Sequence, residues 1–111
     1  MNDNVKGKTE ELIRNILDSE EYQTFDIYRR LLNETPELKE RVQTFRKARL
    51  EAQYSGKTGK EISNLLLSQY ADILNNTVAA NYLNSELVVC KMMQQINDIL
   101  MGGLQLELDF L

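Results

Sequence analysis

Residues 19–53 read SEEYQTFDIYRRLLNETPELKERVQTFRKARLEAQ, two amphipathic segments divided by Asn33-Glu34-Thr35-Pro36. In the first, Tyr22, Phe25, Tyr28 and Leu32 recur three or four residues apart, the spacing of one helix face. In the second, Leu38, Val42, Phe45, Arg49 and Ala52 follow in 4-3-4-3 order, a seam that packs against other helices. Pro36 suits a first helical position, where no amide hydrogen needs a partner, and Thr35 is placed to cap that helix. The stretch therefore predicts a helical hairpin and shows no reaction chemistry.

The same reading extends both ways. Upstream, a helix over about 5–18 puts Val5, Leu12, Ile13 and Ile16 on one side, and Ser19 caps the next helix. Glu20 and Glu21 there complement the positive end of the helix dipole. Downstream, Ser55-Gly56-Lys57-Thr58-Gly59 breaks the chain, and Thr58 with Glu61 reads as a capping box. The helix that follows lines its buried side with Ile62, Leu65, Leu66, Gln69 and Ile73, until Asn75-Asn76-Thr77 ends it and caps the last one. That last helix, roughly 77–101, carries a stripe of Val78, Tyr82, Ser85, Val89, Met92, Met93, Ile96 and Leu100. A second flank, Leu83 and Leu87, lies about 120–160° from Val89. The flank reads as a subunit interface, with a fully wrapped central helix as the alternative.

Together these elements predict an all-α fold, a five-helix bundle of two long helical hairpins and a short N-terminal helix. Residues 1–103 form one helical domain, and 104–111 an extended tail beyond the Gly102-Gly103 stop. The 111 residues suffice for one core and not for two. One proline and five glycines leave long uninterrupted segments, which favours helices over a turn-rich sandwich. No run approaches the roughly 18 apolar residues of a membrane span. The opening MNDNVKGKTEEL lacks the apolar region of a secretion signal. With a single cysteine unable to form an internal disulfide, a cytoplasmic setting is expected.

Histidine is absent, which removes the commonest general base near neutral pH and the commonest metal ligand. Ser-His-Asp and Cys-His catalysis cannot be assembled within the chain. The expectation is a protein that is not an enzyme, with no cofactor and no metal. Charge is uneven. Residues 39–60 hold seven basic side chains (Lys39, Arg41, Arg46, Lys47, Arg49, Lys57, Lys60) against Glu40 and Glu51, a net of +5. The remainder therefore carries −9 of the overall −4. This polarity is a solvated helix face or a means of docking to an acidic surface or a sister chain. Direct nucleic-acid binding is disfavoured, since only Phe45 and Tyr54 stand near the basic arm as stacking platforms, and Phe45 points inward on its seam.

Several stretches resemble the YlbF/YmcA family of bacterial cell-fate regulators. They are Ser19-Glu20-Glu21-Tyr22, Pro36-Glu37-Leu38-Lys39, Phe45-Arg46-Lys47 and Leu50-Glu51-Ala52-Gln53, with Tyr82-Leu83, Glu86 and Gln95-Ile96-Asn97-Asp98-Ile99 later. The resemblance implies an all-helical, cytoplasmic, non-catalytic regulator or adaptor that self-associates through long helices. It further implies complexes with related family proteins that influence competence, sporulation and biofilm formation, and with an endoribonuclease. Some members hold an iron–sulfur centre on a cysteine cluster. Here Cys90 stands alone and the tail carries no thiol, so no such centre is expected.

The residues expected to carry assembly, as a homodimer or higher homo-oligomer, are Tyr22, Phe25, Phe45, Arg49, Tyr82, Leu83 and Leu87. Arg49 occupies a seam position where an aliphatic residue would fit. It either snorkels its charge to water or pairs with a carboxylate across an interface. Cys90 is expected to act as a small buried hydrophobe, and Met92-Met93 as adaptable packing. In the tail, Gln105, Leu108 and Phe110 fall in the spacing Gln-x-x-Leu-x-Phe. This resembles peptides that bind the bacterial replication sliding clamp and leaves a nucleic-acid-linked factor as the alternative function. The plainer reading is a tail that lies on its own helices or on a sister subunit.

Overall fold

A computed structural model describes residues 1–105, and these residues contain helices and no strands. Six helices follow in order: α1 (Asp3–Asp18), α2 (Glu20–Asn33), α3 (Pro36–Gln53), α4 (Gly59–Gln69), α5 (Ala71–Leu74) and α6 (Thr77–Leu104). Among them no helix is long and apolar enough to cross a membrane.

The caps explain most boundaries. Asn2 Oδ1 accepts from the amides of Asn4 and Val5 to open α1. Ser19 Oγ accepts from the Tyr22 amide to open α2, and Asn76 Oδ1 from the Ala79 amide to open α6. The capping box at α4 is complete, with Thr58 Oγ1 accepting from Glu61 N and Glu61 Oε2 from Thr58 N. Each such bond satisfies a donor that the helix leaves without an internal partner. Thr35 departs from expectation: its side chain makes no cap bond, and Pro36 at the first position supplies the start of α3 instead.

Three further departures concern extent and pairing. The predicted fourth helix is two, because the backbone turns at Tyr70 (φ −127°, ψ 28°) and swings that ring into the core, 5.4 Å from Phe45 and edge-on at 70°. The turn leaves Gln69 exposed rather than buried. Second, α6 continues through Gly102-Gly103 to Leu104, and Gln105 (φ 54°) ends it with a left-handed residue. Two glycines weaken a helix without forbidding it. Third, the dominant packing is not within the predicted hairpins: α2 lies along α6 more extensively than any other pair of helices touch. Phe25 meets Tyr82, while Glu20, Glu21 and Thr24 lie beside Ser85 and Val88, so the two helices run antiparallel. The aromatic stripe of α2 found its match on the distant helix.

The core gathers Leu32, Val42, Phe45, Leu66, Tyr70, Ile73, Ala79 and Tyr82, with Phe25, Tyr28, Leu38, Ala48 and Leu83 packed around it. It sits where α2, α3, α4, α5 and the first half of α6 converge. Around it the chain is long and thin, 50 × 35 × 19 Å, and its radius of gyration is 17.7 Å. A compact chain of this length would measure about 13 Å. The excess lies in α1, which buries no residue, and in the second half of α6, whose last buried residue is Ser85.

Candidate interaction surfaces

Chain geometry offers two surfaces. The first is an open groove of about 710 Å³ between α3 and α6, walled by Arg46, Lys47, Arg49 and Leu50 on one side and Leu83, Leu87 and Cys90 on the other. Its deep edge is a polar relay: Arg46 Nη2 lies 3.1 Å from Glu86 Oε2, to which Tyr82 Oη donates at 3.2 Å. Burial, with the Glu86 carboxylate next to it, raises the Tyr82 phenol above its ordinary value.

Two of the seven basic residues of 39–60 are thereby committed inside the chain. Arg46 holds Glu86, and Arg41 forks onto Asp72, Nε to Oδ2 at 3.0 Å and Nη2 to Oδ1 at 3.2 Å. The Arg41 Nη2 also donates to the Gln69 carbonyl at 2.9 Å, and its guanidinium lies 4.5 Å from the Tyr70 ring centre. The hydrogen bonds from Arg41 hold the Asp72 carboxyl below its usual range. Sequence spacing gave no sign of either pair, since the partners are far apart in the chain.

Among the described residues Arg49 meets no carboxylate. Its guanidinium lies over the Phe45 ring at 5.5 Å, half-buried at the lip of the groove. Beside it Lys47 is exposed. The groove therefore pairs cationic rims with an apolar floor, a combination suited to an acidic, amphipathic partner.

The residues expected to carry assembly divide by depth. Phe45 and Tyr82 are buried in the core of the single chain, where they shape the surface without presenting it. Tyr22 and Phe25 are half-buried on α2, their rings 5.9 Å apart. Leu83 packs partly on the core, whereas Leu87 on the same flank is 53% exposed in the groove. Cys90 corrects the expectation of a buried thiol: it is exposed at the groove wall, because it lies about 100° round the helix from the face that α2 covers. Of the tail motif, Gln105 caps α6 through its amide to Met101 O at 3.0 Å. Leu108 and Phe110 lie outside the described residues.

The second surface is the uncovered apolar length of α1 and of α6 beyond α2. Val5 and Ile13 on α1, and Met93, Ile99, Leu100 and Leu104 on α6, are all exposed. Periodicity marked Val5, Ile13, Met93 and Leu100 as apolar-face residues, but it could not show that no helix of the same chain covers them.

In comparison with known families, the family described as Control of competence regulator ComK, YlbF/YmcA, matches residues 5–105. No curated protein and no solved structure matches the chain.

Proposed function

The chain belongs to the YlbF/YmcA family, a family of competence-regulator control, and on that premise we propose that it is a non-catalytic cytoplasmic adaptor that associates with itself and presents helix faces to a larger complex. The observation that carries this reading is surface. The chain exposes 8552 Å². A compact protein of its 12.9 kDa would expose about 6,300 Å². Val5 and Ile13 on α1 and Met93, Ile99, Leu100 and Leu104 on α6 are exposed, and exposed apolar faces of that kind mark sites of association. The groove with Lys47 and Arg49 at its rim is the face offered to a further partner, related family proteins first among them.

Light scattering on the purified protein tests the reading. Particles of twice the chain mass or more are expected throughout the micromolar range. A strictly monomeric protein would remove the self-association on which the proposal stands.

A further inference from the structure

The face of α6 that α2 covers does not stop where α2 stops. Val78, Tyr82, Ser85 and Val89 share it with Ile96 and Leu100, because steps of three and four keep them on one side. α2 begins at Glu20, level with Val88, so among the described residues no helix lies over the continuation from Met93 to Leu104. On that face Met93 and Leu100 are 45% and 48% exposed. α1 is the complementary case: Val5 and Ile13 are 54% and 51% exposed, and it makes no contact with α6.

The two bare faces are kept apart in one chain by the elbow at Ser19, whose backbone is extended (φ −68°, ψ 151°). The elbow is fastened by four hydrogen bonds. Ser19 donates from Oγ and from N to the Ile16 carbonyl, at 2.6 and 3.1 Å. Tyr22 N donates to Ser19 Oγ at 3.2 Å, and Gln23 Nε2 to the Leu17 carbonyl at 2.6 Å. Straightening Ser19 into a helix so that α1 continues over its own α6 would break the cap and the Gln23 bond together.

We propose that α1 of one copy lies along the Met93–Leu104 face of α6 in a second copy, and reciprocally, so that the dimer exchanges its N-terminal helices. This rests on the self-association proposed above. The lengths agree: α1, with 16 residues, is about 24 Å long, and the bare stretch of α6 about 18 Å. Areas agree as well, for the excess surface of roughly 2,200 Å² per chain exceeds the roughly 800 Å² that a standard interface removes from each partner. A two-fold axis makes the contact twice, once from each copy, and closes the assembly.

Cross-linking tests the exchange. In a chain with Cys90→Ser, Ile13→Cys is combined in turn with Met93→Cys, Ile99→Cys and Leu104→Cys, and a short bis-maleimide is added to the dimer. At least one pair is expected to give a covalent dimer, and each single-cysteine chain none. A covalent dimer from a single-cysteine chain would mean like faces meet and would overturn the exchange. A linked product of monomer size would overturn it too, by placing α1 on its own α6. No linkage within particles of dimer mass would sink the exchange and leave self-association standing, whereas particles of monomer mass would remove both. Leu17, one turn after Ile13 on the same face, is 41% exposed, and Ile13→Asp with Leu17→Asp is expected to raise the dissociation constant at least about tenfold with helix content unchanged; an unaltered constant would also refute the contact.

Discussion

The ring of Phe25 lies 5.7 Å from that of Tyr82, their planes inclined by 32°, and this pair joins α2 to α6 across more than fifty residues of chain. Phe25→Ala removes one ring from the longest helix pairing in the molecule. Because the ring is half-buried, the expected loss is about 2–3 kcal/mol, below that of a fully buried phenylalanine. Urea unfolding followed by circular dichroism measures it, and an unchanged midpoint would show the ring pair to be dispensable.

Tyr82 also gives the fold a dependence on alkaline pH. Its phenol titrates higher in the folded chain than unfolded, first through burial and then through Glu86. A raised folded value means stability complete below the unfolded value, near 10, and lost as pH rises through the folded one. Thermal melts from pH 8 to 11 are expected to fall more steeply for the wild type than for Tyr82→Phe. Parallel curves would contradict the assignment.

The two threonine and serine caps that the sequence suggested beside α2 and α3 differ in the structure, and substitution should tell them apart. Ser19→Ala loses both the Tyr22 amide and the Ile16 carbonyl as partners, at an expected cost of about 1 kcal/mol. Thr35→Ala loses no cap bond and is expected to stay within about 0.5 kcal/mol of the parent. Equal losses would mean Thr35 caps after all.

Arg41→Gln offers a titration free of any stability argument. The Asp72 carboxyl lies low chiefly because Arg41 donates to it. In the variant its titration, followed by NMR at the side-chain carbon, should move up toward the ordinary carboxylate range. No movement would assign the lowering to the backbone amides instead.

Helical character and three of the side-chain caps were readable from residue spacing, since both are local: Ser19, Thr58 and Asn76 act within three residues of themselves, while Asn2 went unmarked and Thr35 makes no cap bond. The partner of each helix was not. An apolar stripe states that a face must be covered and is silent about what covers it, so the hairpin reading pairs α2 with α3, whereas its rings match Tyr82. The turn at Tyr70 escaped for a related reason. No glycine or proline marks it, and only the fit of the ring against Phe45, a tertiary contact, shows why the chain bends there. At the candidate surfaces, Arg49, Leu83 and Leu87 were legible as a flank, while the exposure of Cys90 depended on which side α2 occupies.

The corner at Tyr70 is fastened twice, by the Phe45 ring within and by the Arg41–Asp72 fork without. Among the described residues the outer helical ends have no comparable anchorage. Amide protons should therefore exchange with solvent earliest in α1 and the last turns of α6, and latest around Val42 and Ile73. A single chain held apart from its fellows would come undone from its extremities inward, and assembly would slow that fraying first where α1 and α6 end.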